Sequence, residues 1–248
     1  PDTQLTSYPT RDESPSITQD INGKIWIVWH RDVAGNYDLF YETSHDNGAT
    51  WSSEIRLTTD NSWDLYPSIT QDFKGMMWVA WASYRTGEYE IFYKIYNGTS
   101  WTPDTRLTYD KGFDETPSII QARNGSIWTV WKSDRKGNQY DLYYKTSQNY
   151  GQTWSSDTQL TTDTNDDEAP SIINTKEGRI WAVWSSTRTG NFDIFYKTSD
   201  VLTIHDVAVI SVESFTKQVL RGEIVNVTVI VGNDGTQAET FNVTAYYN

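Results

Sequence analysis

Apolar and polar residues alternate along most of the chain in short runs. In Ile25-Trp26-Ile27-Val28-Trp29 the period is two, the residues are β-branched or aromatic, and Gly, Asn and Asp bound the run; this predicts strands. The runs themselves repeat. Pro-Ser-Ile recurs at Pro15, Pro67, Pro117 and Pro170, about every 50 residues, which marks a repeat architecture. Each copy opens one succession: Pro15-Ser-Ile-Thr-Gln-Asp, a turn at Gly23, Lys24-Ile-Trp-Ile-Val-Trp, a turn at Gly35, then Tyr37-Asp-Leu-Phe-Tyr. A closing strand of the type Arg56-Leu57-Thr58 completes a unit of four strands.

Four-stranded units of about 50 residues arranged radially describe a β-propeller. The expected fold is all-β, with a four-bladed propeller over residues 1–203. Of the twelve Trp, only Trp63 stands outside the repeat register, so the others read as packing between blades. The fourth unit departs from the pattern after Asp193-Ile-Phe-Tyr. Asp2-Thr-Gln-Leu-Thr6 matches Asp157-Thr-Gln-Leu-Thr161, so the N-terminal segment is expected to pair with the strand at Asp193–Tyr196 and close the ring.

Charge and composition narrow the partners. A net charge of -13 and a pI near 4.6 repel phosphate backbones and anionic lipid, which excludes nucleic acid and direct membrane insertion. A glycan or a surface protein remains. The chain has no cysteine, hence no disulfide framework and no thiol chemistry. It begins at Pro1 without Met, as a processed or excised form would. Asn-x-Ser/Thr sequons start at Asn97, Asn124, Asn226 and Asn242. Together these features lead to an expectation of an extracellular or cell-surface protein.

Three stretches resemble known families. Ser44, Asp46, Gly48, Thr50 and Trp51 resemble the Asp-box, or BNR repeat, of sialidase-like propellers; Ser147, Asn149, Gly151, Thr153 and Trp154 form a second copy with Asn for Asp. The resemblance implies a structural hairpin away from the ligand face. Asp12, Asp64, Asp114 and Asp167, with Arg85, Arg135 and Arg188, are similar to the repeats of TolB-like propellers, in which we expect one Asp–Arg bracket per blade. Blade 1 departs, with Val33 at the Arg position and Arg31 displaced by two. The stretch 204–248, from His205 onward, resembles the start of a CARDB-type Ig-like domain, a cell-adhesion-related module of prokaryotic surface proteins, and the resemblance implies a partial Ig-like β-sandwich; three strands would leave a free edge through which the chain could self-associate.

No asymmetric carboxylate pair stands out, because Asp38, Glu90, Asp141 and Asp193 repeat in register. His30, His45 and His205 lack metal-ligand spacing, so neither a metal nor another cofactor is expected; the acidic loop 162–168 is the one place with oxygen ligands suited to Ca2+. Ligand contacts are expected where the repeat fails, at Trp63, Tyr66, Phe113, His30, Arg31 and Tyr84. The leading expectation is therefore a non-enzymatic binding and adhesion module that recognises a glycan or protein through the propeller face. A sialidase-like glycoside hydrolase and a structural subunit of a surface layer or filament are the alternatives.

Overall fold

The computed structural model describes residues 2–137 and 139–199, together with the backbone of strands 207–214 and 227–233. Residues 2–199 carry four antiparallel sheets. The first holds β1 (Asp12–Gln19), β2 (Ile25–Val33), β3 (Asn36–Ser44) and β4 (Ile55–Arg56). The second holds β5 (Asp64–Gln71), β6 (Met77–Ser83), β7 (Glu90–Tyr96) and β8 (Thr105–Arg106). The third holds β9 (Asp114–Gln121), β10 (Ile127–Ser133), β11 (Asp141–Ser147) and β12 (Thr158–Gln159). The fourth has β13 (Asp167–Asn174), β14 (Ile180–Ser186) and β15 (Asp193–Thr198). Two further strands, β16 (Val207–Ser214) and β17 (Val227–Asn233), pair antiparallel as a separate sheet. In the first three sheets the alternating runs fold as the four strands expected per unit, each outer strand shorter than expected; the fourth sheet has three strands. Leu57 has already left β4, where its N–H reaches Leu39 O at 2.7 Å.

The sheets pack as blades through their first strands, β1 on β5, β5 on β9 and β9 on β13. The Pro-Ser-Ile motif accounts for this joint. Ser16 Oγ accepts the Ile69 N–H at 3.2 Å, Ser68 Oγ accepts the Ile119 N–H at 3.1 Å, and Ser118 Oγ accepts the Ile172 N–H at 3.1 Å. Farther out, Lys94, Lys145 and Lys197 each donate to a carbonyl of the preceding blade, at Leu57, Leu107 and Leu160. The registered Trp fill the space between: Trp101 of the second blade lies edge-on to Trp26 of the first, and Trp154 of the third edge-on to Trp78 of the second. Large aromatic surfaces leave water at these joints, the main favourable contribution to blade stacking.

Each blade carries the expected bracket. Arg85, Arg135 and Arg188 bind Asp64, Asp114 and Asp167 through both carboxylate oxygens at 2.8–3.0 Å. Every Nε is held by a serine two residues earlier: Ser83, Ser133 and Ser186. The guanidinium groups stack on Phe92, Tyr143 and Phe195. In the first blade Arg31 stands at the serine position and reaches Asp12 and Glu54 directly. Arg31 is 1% exposed, so the expectation that it contacts ligand is corrected: it is the bracket arginine of this blade.

The N-terminal segment does not close the ring. Residues 2–6 form no strand, and among the described residues β15 pairs with β14 alone. Instead Leu5 and Thr6 lie against Asp12, Pro15, Ile27 and Trp29 of the first blade, and Thr6 hydrogen-bonds the Asp12 carboxyl. Thr58 and Thr108 make the same bond to Asp64 and Asp114 across the next two joints. The segment therefore sits where the last residues of a preceding outer strand belong. The fourth blade does not reach it, and the two end blades keep Ile17 and Ile194 exposed. Of the C-terminal stretch, only the β16–β17 pairing is described; the rest of the expected Ig-like unit and its boundary lie outside the described residues.

Two outcomes follow. Arg135→Ala leaves Asp114 buried without its cation and should destabilise the fold by about 3–5 kcal/mol in urea titration, whereas Lys111→Ala, on an exposed loop, should change it by less than about 0.5 kcal/mol. Glu90 is pushed up to about 7, chiefly by burial. The folded state then holds this proton more tightly than the unfolded chain, so stability is full below about pH 4.5 and falls as pH rises through 7. Glu90→Gln should flatten that fall, on the order of 2 kcal/mol, and an unchanged profile would refute the assignment.

Candidate functional site

The site begins with a backbone irregularity shared by all four blades. Each first strand opens Asp-x-x-Pro, and the residue before proline has a left-handed backbone: Ser14, Tyr66, Thr116 and Ala169 have φ of 50–55°. Strand pairing breaks at the same place, between Glu13 and Ser16 and at its equivalents. Such φ values are costly for residues other than Gly. Bracket and proline share in enforcing them, since the Asp side chain is anchored and proline has no N–H to leave unpaired at the bulge.

The bulge sets out the residue after each Asp. These are Glu13, Leu65, Glu115 and Glu168, three glutamates and one departure. They form one electrostatic cluster. Burial raises the Tyr66 phenol above its ordinary range, and the negative charges of Glu115, Glu13 and Glu168 raise it further. Tyr89 is pushed up to about 12 by burial and then by Glu115; Tyr140 is pushed up to about 12 by burial, Glu115, Asp134 and Glu168. Glu115 is thus common to three phenols. Lys132 Nζ lies 3.2 Å from Glu115 Oε2 and 3.8 Å from Glu168 Oε2, so one ammonium holds the two carboxyl groups close together, with those oxygens at most about 7 Å apart.

His30 joins the first two blades. Its Nδ1 accepts the Tyr66 N–H at 3.3 Å, and burial holds its pKa below the usual imidazole value despite the opposing pull of Glu13. The ring is therefore neutral with its proton on Nε2, 3.6 Å from Glu13 Oε2.

Glu13, His30, Tyr37, Trp63, Tyr66 and Tyr89 line a cavity of about 660 Å³; Trp63 and Tyr89 also line an adjoining one of about 500 Å³ with Asn61, Ser62, Tyr84 and Phe113. These volumes suit small-molecule sites. Trp63 is 45% exposed, yet its plane is fixed: Nε1 donates to Gly35 O at 3.1 Å and the ring meets Tyr37 edge-on. Phe113 is held in the equivalent loop by its N–H to Asp134 Oδ1 at 2.6 Å.

The structure thus brings five of the six expected contacts, Trp63, Tyr66, His30, Tyr84 and Phe113, to one continuous cleft. The sequence reading passed over Glu13, Tyr37 and Tyr89, which line the same cleft, and Glu115, Glu168, Lys132 and Tyr140, which stand behind its wall near Tyr66. For the three glutamates the one mark in the sequence is their shared position after the bracket Asp, a weak signal in so acidic a chain. The Asp-boxes lie elsewhere, at the β3–β4 and β11–β12 hairpins, the far ends of strands whose near ends hold Tyr37 and Tyr140. In the first box Asp46 accepts from Ser44 and from the N–H and hydroxyl of Thr50, and these bonds hold its carboxyl down at about 2. Asn149 makes the equivalent contacts with Ser147 and Thr153.

In the acidic loop 162–168, Asp163 accepts from Asn165, Asp166 from the Tyr140 N–H, and Asp167 is bound to Arg188. No group of three or more His, Asp or Glu arranged for a metal occurs among the described residues.

A family model described as a BNR repeat-like domain matches residues 1–221, and the chain belongs to that family. No curated protein sequence matches it. Solved structures share its fold. A protein of unknown function from Dyadobacter fermentans aligns with a TM-score of 0.64 at 15% identity, over 77% of this chain and 66% of its own. An α-L-arabinanase from Penicillium chrysogenum, complexed with arabinobiose, aligns at 0.62 and 16% identity, over 76% and 63%. The Hadza microbial sialidase Hz136 aligns at 0.62 and 14% identity, over 75% and 44%. The chain therefore spans under two thirds of the length of each of these structures. At such identities the likeness is one of fold. Even so, the neighbours of known activity are glycoside hydrolases, and they overturn the expectation of a non-enzymatic adhesion module in favour of its hydrolase alternative.

The strain at this site has a checkable consequence. Gly112, beside Phe113, has φ of 114°, and a Cβ there would meet Asp134 Oδ1 at 2.7 Å and the Arg135 backbone at 2.8 Å. Gly112→Ala should lower stability by about 2 kcal/mol or more in thermal denaturation, whereas Gly125→Ala, with open space around its Cβ, should cost less.

Proposed function

We propose that this chain acts as a glycoside hydrolase of the sialidase- and arabinanase-like propeller type, with its reacting carboxylates among Glu13, Glu115 and Glu168. The observation that carries the reading is the cluster of glutamates at the heads of three of the four inner strands. Glu13 lines the aromatic cleft, Glu115 and Glu168 lie close enough to its wall to raise the Tyr66 phenol, and all three are distinct from the Asp residues that recur in every blade. Glycosidic bond cleavage needs one carboxyl group to protonate the leaving oxygen and a second to attack the anomeric carbon or activate water. A carboxylate beside the Lys132 ammonium suits the second role, which falls to Glu115 or Glu168. Glu13, at the cavity wall with no arginine or lysine beside it, is left for the first. Tyr66, among all three, is placed to face a developing positive charge on the sugar.

Residues 204–248 are read as the start of a CARDB-type Ig-like domain that would hold the propeller outside the cell, a reading supported by the sequence resemblance and by the antiparallel β16–β17 pair.

A panel of fluorogenic pentosides and hexosides tests the activity. The parent protein should hydrolyse at least one of them, and Glu115→Gln or Glu168→Gln should lower kcat/KM at least about 10³-fold without moving the unfolding midpoint. Hydrolysis unaffected by Gln at all three glutamates would refute the assignment.

A further inference from the structure

The bracket has a consequence for what the cleft can hold. A sugar bearing a carboxylate needs a cation to replace its water, most effectively a guanidinium that binds both oxygens. The arginines near the heads of the inner strands are Arg31, Arg85, Arg135 and Arg188, and each is bound to the Asp of its own blade. Arg31, Arg85 and Arg135 hold a second carboxylate as well, from Glu54, Asp104 and Asp157. Lys132 is taken by Glu115 and Glu168 and sits over the Tyr140 ring. Neither cavity has an arginine or lysine in its wall; the titratable groups there are Asp12, Glu13, the neutral His30 and tyrosines.

The wall is otherwise suited to uncharged rings. Trp63 presents an exposed face whose orientation is already fixed, and Tyr84, Tyr89 and Phe113 continue the aromatic surface, with Tyr84 and Tyr89 at 5.1 Å and Tyr89 and Phe113 at 6.0 Å between ring centroids. Asn61 and Ser62 supply neutral hydrogen-bonding groups beside them. The apolar faces of a sugar ring pack on such a platform, while its hydroxyls bond amides and carboxylates.

We infer that the cleft takes an uncharged glycan of at least two sugar units, one ring stacked on Trp63 and the next toward Glu13 and Tyr66, and that it rejects sugars carrying a carboxylate. The two cavities that share Trp63 and Tyr89 account for the minimum length, and a wall that offers Glu13 but no arginine or lysine accounts for the rejection. This substrate class rests on the hydrolase reading of the same site, but stacking on Trp63 is a binding property that can be measured without turnover.

The experiment is isothermal titration of the Glu115→Gln variant with xylobiose, arabinobiose, lactose and sialyllactose, repeated in Trp63→Ala and Trp63→Phe backgrounds. At least one neutral disaccharide should bind. Trp63→Ala should weaken it at least about tenfold and Trp63→Phe should restore part of the loss; sialyllactose should bind no better than lactose. Tighter binding of sialyllactose, affinity indifferent to Trp63→Ala, or no binding of any neutral disaccharide would overturn the inference. Binding as expected, joined to a parent protein inactive on every glycoside, would overturn the hydrolase reading and leave the ligand class standing.

Discussion

The buried Asp–Arg bracket is the interaction on which the rest of this structure depends. An aspartate placed inside a blade, as Asp64 and Asp114 are, loses its hydration, and only a guanidinium bound through both oxygens makes that burial tolerable. The bracket therefore anchors the head of each inner strand at one point. With Asp anchored and proline three residues later, the intervening backbone turns through a left-handed residue in every blade. The strand bulges, and the residue after the aspartate is carried to the cluster at the strand heads. One charge pair per blade thus specifies the joint between strands, the strain beside it and the position from which function is read.

The same pair divides the molecule by chemistry. Because the bracket arginines are committed to structural aspartates, the cleft wall is left to carboxylates, phenols, an indole and a neutral imidazole. A site of this kind suits acid–base chemistry on an uncharged substrate and is poorly suited to holding an anion. At the opposite ends of the third strands the Asp-boxes use a carboxylate or an amide to close a hairpin. Their hydrogen bonds are made to their own loop, and Trp154 carries the second box onto the preceding blade.

Much of the fold was legible because the repeat writes each constraint several times. The spacing of Pro-Ser-Ile located the strands, the registered Trp located the blade joints, and the Asp and Arg columns paired as expected. Arg31 misled because its displacement by two residues looked like an escape from the bracket; β2 runs on to Val33 and delivers the guanidinium from the strand itself. Ring closure misled because the match between residues 2–6 and 157–161 is real but marks equivalence to an outer strand, without saying which sheet stands beside it. Trp63 was visible as the one Trp out of register. Glu13, Glu115 and Glu168 were not, since in a chain this acidic a glutamate next to an aspartate carries little signal. Their meaning emerges from the φ values of Ser14, Thr116 and Ala169, which no pattern of hydrophobic and polar residues reports.

The central claim is that chemistry takes place where the inner-strand heads break symmetry, in the cleft between Trp63 and the glutamates. A crystal structure of the Glu115→Gln variant bound to a neutral disaccharide tests it most directly. The account predicts one sugar ring on the face of Trp63, with the glycosidic oxygen turned toward the carboxyl groups of Glu13 and Glu168. A disaccharide seated at an Asp-box hairpin or on the face of an end blade, with the cleft occupied by solvent, would contradict it.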